Sequence, residues 1–300
     1  MARQVYRRFA LVFIGGVLLF NTYSRGLRAN GLPEAIQWIQ QGDWKRAEAV
    51  LDQISSDDPA LLYWKSFVLF STGRYRESAA LAHQFLDRRP ESAPGRKVLG
   101  LCLYMLGNPD SAGRELDQAV KLNPSDSEAL YYLGRIYFTR QDLPNALATF
   151  EKLMLLDKTS VRGFNHLGQT YEALSRFEEA RSSYQKAIDL EKAQTKRSEW
   201  PYFNLGVLNL KEGRQQEAIG LLREALVRNT DWPEARIQLA VALSSTGQYE
   251  EAKALLEGVL QTDPKNADAH YQMGRLLLKQ GRKEQARLHL QQFESLKKKP

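Results

Sequence analysis

The 300 residues are 43% hydrophobic and 26% charged, which gives enough apolar material for a sizeable core and argues against a disordered chain. The net charge of +7 would suit an acidic partner, but Arg3, Arg7, Arg8, Arg25 and Arg28 lie with no acid in residues 1–30, leaving only +2 for residues 31–300. Neutralising several phosphates at once needs a basic stripe. Beyond residue 30 the one local run is Lys297, Lys298 and Lys299, so the composition argues against nucleic-acid binding.

At the N-terminus, Arg3, Arg7 and Arg8 precede the apolar run Phe9 to Phe20, and polar residues with more arginine follow. That is the order of a secretory signal. Twelve helical residues reach roughly 18 Å, short of the ~30 Å hydrocarbon core. Cuts after Ser24 or Ala29 both depart from the small-x-small form. A cleavable signal peptide and an uncleaved signal-anchor both fit, with an organelle presequence as a third reading. The first two predict a protein that is periplasmic, secreted or anchored to a membrane by residues 1–30. Cys102, the single cysteine, sits in the apolar stretch LGLCLYML, where packing is its expected role.

The body is periodic. Gly42, Asp43 and Trp44 with Ala47, then Gly73, Arg74 and Tyr75 with Ser78, mark two degenerate units. After them a Leu–Gly pair recurs at Leu99–Gly100, Leu133–Gly134, Leu167–Gly168 and Leu205–Gly206, with Leu239–Ala240 and Met273–Gly274 completing the series. Successive pairs are 34 residues apart, except for one gap of 38. An alanine follows twelve residues after each pair, at Ala112, Ala146, Ala180, Ala218, Ala252 and Ala286.

This pattern resembles the tetratricopeptide repeat, whose 34-residue unit has small or apolar residues at positions 4, 7, 8, 11, 20, 24, 27 and 32. The unit from Ser127 carries Leu130, Leu133, Gly134, Tyr137, Ala146, Phe150 and Leu153 at seven of these, and Lys158 stands where proline is usual. The next carries Phe164, Leu167, Gly168, Tyr171, Ala180, Tyr184 and Ala187. The resemblance implies an all-α, right-handed α-solenoid of about eight helix-turn-helix units. They fall near residues 33–59, 60–92, 93–126, 127–160, 161–198, 199–232, 233–266 and 267–296, with 297–300 a basic tail.

Small residues at positions 8 and 20 let the two helices approach, while large residues at 4, 7, 11 and 24 fill the space beside them. Each unit leaves an apolar face that only a neighbour covers. Gly42, Gly73, Gly107, Gly213, Gly247 and Gly281 are placed to end first helices in the left-handed conformation. The long unit runs through Glu191 to Trp200; its four extra residues, about one helical turn, are expected to lengthen its second helix into a local elbow.

Chemistry-bearing patterns are missing. His83 and His166 fall in separate units and His270 and His289 nineteen residues apart in the last, with no HExxH and no Cys/His spacing. No phosphate-cradling GxxxxGK[ST] or GxGxxG occurs, so neither an enzyme nor a cofactor or metal is expected. Glu178 with Glu179, and Glu250 with Glu251, open second helices, where the helix dipole accounts for them.

The resemblance also implies a concave face lined by first helices at positions 2, 5, 6, 9, 12 and 13. In one half this selects Tyr63, Trp64, Phe67, Phe70, Leu101, Tyr104, Tyr131, Tyr132, Arg135 and Phe138. In the other it selects Arg162, Asn165, His166, Gln169, Phe203 and Asn204. Aromatic stripes of this kind are as readily core as contact surface. The expected function is a non-enzymatic scaffold or adaptor that binds a peptide or helical segment of a protein partner. The alternative is a structural assembly factor of an envelope complex, acting through its convex face or through self-association at its C-terminal unit.

Overall fold

After each first helix the chain reverses through a tight turn, and in six units glycine occupies it with φ between 74 and 84°. Only glycine takes that conformation without a Cβ penalty. Two other units make the same turn with Gln141 at φ 60° and Ser175 at φ 59°. The structure, a computed structural model, describes residues 31–194 and 197–297. Among them every regular element is an α-helix, and the protein is an all-α solenoid of helix-turn-helix units. Residues 1–30, where a targeting segment is expected, and the basic tail, apart from Lys297, lie outside the described residues.

The chain divides into two compact units at Leu156 and Asp157. The first contains α1 (Leu32–Gln41), α2 (Trp44–Gln53), α3 (Pro59–Ser71), α4 (Tyr75–Arg88), α5 (Ala93–Met105), α6 (Pro109–Leu122), α7 (Ser127–Thr139) and α8 (Leu143–Leu156). Side-chain caps set several starts: Asp43 accepts from Arg46 N, Ser92 from Gly95 N, Asn108 from Ser111 N and Asp126 from Ala129 N. Cys102 is buried, with Sγ 3.0 Å from Ser78 Oγ, and burial pushes its thiol up to about 11.

The second contains α9 (Val161–Ala173), α10 (Phe177–Lys192), α11 (Trp200–Lys211), α12 (Gln215–Arg228), α13 (Pro233–Ser245), α14 (Tyr249–Thr262), α15 (Ala267–Lys279) and α16 (Lys283–Lys297). Helix α10 has 16 residues where α12 and α14 have 14, so it absorbs half of the four-residue surplus, not all of it as expected. The remainder lies in the connector. Glu191, on the added turn and 2% exposed, explains why it stops there. Its carboxylate accepts from Ser198 N, from Tyr202 Oη at 2.8 Å and from Arg228 Nε at 3.1 Å, so the connector is tied to α11 and α12. Burial opposes ionisation of Glu191, but the Arg228 and Tyr202 hydrogen bonds outweigh it and hold its pKa below the ordinary value.

Close helix approach rests on a specific partnership. A Cβ on Gly168 would lie 2.6 Å from the Tyr184 ring, and one on Gly134 would lie 2.8 Å from Phe150. The large residue at position 24, rather than the small one at position 20, fills the space that the position-8 glycine leaves.

Candidate protein-binding site

In the first unit the predicted aromatic residues divide by exposure. Tyr63, Trp64, Phe67 and Phe70 on α3 are buried, and so are Leu101, Tyr131 and Tyr132. Tyr63 stands 5.1 Å from Trp64 and 5.5 Å from Phe85 between ring centroids, while Phe70 meets Tyr75 at 5.6 Å. The packing alternative therefore describes these side chains better than an open contact surface. Half-buried Phe138 and half-buried Tyr104 reach further out.

Arg135 gathers three predicted tyrosines. Its guanidinium carbon lies 5.3 Å from the Tyr104 ring centroid, 5.5 Å from Tyr131 and 5.9 Å from Tyr132. Three rings around one cation fix a half-buried arginine in a rigid aromatic setting.

Sequence reasoning missed Lys97 on α5, which follows Arg96 at the edge of an apolar run. Only 4% exposed, its Nζ lies 2.8 Å from Asp126 Oδ2 and 3.6 Å from Glu128 Oε2. Burial would lower its pKa, but Glu128 and Asp126 hold the charge on and raise it.

In the second unit Asn165 on α9 and Asn204 on α11 come together. Asn204 Nδ2 donates to Asn165 Oδ1 at 2.9 Å, and both side chains are buried. The two amides satisfy half of each other, leaving Asn165 Nδ2 as donor and Asn204 Oδ1 as acceptor, neither with a hydrogen bond among the described residues. Around them, His166 and Gln169 are half-buried and Arg162 is exposed. Phe203, also half-buried, belongs to a second grouping: its ring lies 4.5 Å from Trp232 and 6.4 Å from Trp200, and the two indoles are 4.7 Å apart. Trp232 is 8% exposed and Trp200 48%. Trp200 stands at inner position 2 of its unit, the signal that would have picked it out.

Among the described residues no cluster of three or more His, Cys, Asp or Glu side chains could hold a metal ion. No described helix is long and apolar enough to cross a membrane.

Tetratricopeptide-repeat family models match residues 68–116 and 106–154, 159–227, and 209–259 and 245–293. With the paired helices and the position-8 glycines, these matches place the chain in the tetratricopeptide-repeat family. The chain is 27% identical to the Protein CTR9 homolog of Arabidopsis thaliana over 89% of its own length, and spans 29% of that relative. It is similar in fold to the matching chain of the APC/C hetero-tetramer Cut9-Hcn1, with a TM-score of 0.64, 17% identity, and coverage of 89% of this chain and 52% of that one. It is likewise similar to YrrB, described as a TPR protein with an unusual peptide-binding site, with a TM-score of 0.51, 23% identity, and coverage of 60% and 91%.

Proposed function

We propose that the protein is a non-enzymatic adaptor that holds an extended segment of a partner protein against the first helices of its second unit. The observation that carries this reading is the Asn165–Asn204 pair. A peptide group offers one N–H and one C=O, and the pair leaves one acceptor and one donor side by side on adjacent first helices. Because each amide is fixed by the other, little side-chain entropy is lost when a peptide binds. Arg162, His166 and Gln169 of the same unit are proposed as accessory contacts, and Tyr104, Arg135 and Phe138 of the first unit as a separate contact surface. The peptide-binding site named for YrrB is consistent with such a role on this fold.

The arginine-flanked run Phe9–Phe20 supports export, with the repeats beyond the cytoplasmic face of the membrane. A reporter active only outside the cytoplasm, fused after Pro300, should be active; silence would remove this part of the reading.

The binding reading is tested by recovering native partners with the full chain and with Asn165→Leu/Asn204→Leu. Leucine keeps the approximate volume of each side chain and removes its polar groups. The variant should fold and lose the partners. If it recovers the same set, the convex-face alternative replaces the groove.

A further inference from the structure

We infer that Arg135 is the docking point for an acidic side chain of the partner protein: its guanidinium, set among Tyr104, Tyr131 and Tyr132, takes the carboxylate of an Asp or Glu. The inference rests on the adaptor reading above, though not on the asparagine pair.

A guanidinium carries N–H donors in a rigid planar fork and stays charged at any ordinary pH. The half-buried arginines of the first unit are Arg74, Arg96 and Arg135. Arg74 is paired with Glu48 and Arg96 with Glu115, but among the described residues the Arg135 side chain has no hydrogen bond and no carboxylate, only the three rings. The acids on either side of it in sequence are engaged elsewhere: Glu128 Oε2 lies 3.6 Å from Lys97 Nζ, and Asp142 Oδ2 accepts from Asn145 at 2.8 Å. Ring faces hold a cation electrostatically and leave its fork without an oxygen acceptor. Because the rings already fix the side chain, little of its freedom is lost on binding, and because they displace part of its water, an incoming anion is attracted more strongly than at an exposed arginine. A planar, singly charged carboxylate matches one fork in bidentate fashion, whereas a doubly charged phosphate is met by a cluster of arginines, and the other half-buried arginines of this unit are already neutralised.

Random dodecapeptides displayed on phage and selected on the full chain test this. The parent pool should converge on a position occupied by Asp or Glu. A pool selected on Arg135→Met, which keeps an apolar stem against the rings and removes the charge, should lose that position. A synthetic peptide of the parent consensus, acetylated and amidated so that no terminal charge contributes, should bind Arg135→Met about tenfold or more weakly. Its Asn- or Gln-for-acid version should bind the parent as weakly and lose nothing further on Arg135→Met, the mark of direct pairing. Arg135→Lys, which keeps the charge without the fork, is the second variant if methionine impairs folding; it should bind the consensus several-fold more weakly, and undiminished binding would overturn the bidentate contact. A consensus without an acid, an acid position that persists on Arg135→Met, or a phosphoserine version that binds tenfold tighter than the carboxylate would overturn the inference while leaving the adaptor reading intact. A parent pool with no consensus would overturn that reading as well.

Discussion

Asn204 Nδ2 on α11 donates to Asn165 Oδ1 on α9 across 2.9 Å, and the two residues are 39 apart in sequence. The bond makes a stability prediction independent of any ligand. Either asparagine replaced alone by leucine leaves the other amide buried without its partner, at a cost of about 1–3 kcal/mol. The double leucine variant removes both polar groups and should lie closer to the parent than the sum of the singles. Urea denaturation of the four proteins checks this, and strictly additive losses would mean that the bond contributes nothing.

Glu191 gives the second unit an acid dependence. Its pKa is depressed in the fold from an ordinary value of 4.5, so its contribution is present above 4.5 and is lost as pH falls through the folded value. Leucine at 191 leaves Arg228 buried without its main counter-ion and should cost about 3 kcal/mol near neutral pH. It should also flatten the acid limb of a stability-versus-pH curve. A parallel downward displacement of the whole curve would contradict the assignment.

A second titration sits in the last repeat. His270 Nδ1 and His289 Nδ1 are 3.0 Å apart, and His270 Nε2 lies 3.1 Å from the Pro264 carbonyl oxygen. That carbonyl can only accept, so His270 carries its proton on Nε2 and takes one from His289 at Nδ1. Burial first, then His270, lowers the pKa of His289 against the opposing pull of Glu257. The unfolded chain therefore takes up this proton first, and α16 should lose protection from hydrogen exchange as pH falls below 6.5. His289→Gln should remove that dependence.

Two glycine substitutions should have opposite signs. Gly168→Ala forces a Cβ to 2.6 Å from fully buried Tyr184, whose Oη is bonded to Glu172 at 2.8 Å, and should destabilise by about 1–3 kcal/mol. Gly220, inside α12, has nothing within 4 Å of the place its Cβ would take, so Gly220→Ala should stabilise by roughly 0.5–1 kcal/mol. Thermal melts of both variants decide it.

The helices were legible because their determinants are local and repeated: a glycine in the turn, a small residue at position 8, a cap or proline at the start. Gln141 and Ser175 show the limit, since tertiary packing imposes the left-handed turn there without the residue that announces it. The candidate site was legible only as positions. Repeat phase put Asn165 and Asn204 on positions expected to face inward, but could not give their mutual bond, which joins side chains 39 residues apart. Repeat phase likewise could not tell that Tyr131 would be buried and Trp200 exposed, because burial is decided by neighbouring units and not by the period. Lys97 was hidden for a similar reason: its acids lie on the next repeat.

The most direct test of the asparagine groove is site-specific photocrosslinking in the native cells. A photoreactive phenylalanine at Gln169, one turn from Asn165 on α9, reports on the proposed groove, and one at exposed Lys186 on α10 reports on the opposite helix layer. We predict a discrete adduct with a partner protein from position 169, abolished by Asn165→Leu/Asn204→Leu, and none from position 186. An adduct from position 186 that survives the double substitution, with none from 169, would contradict binding at the first helices.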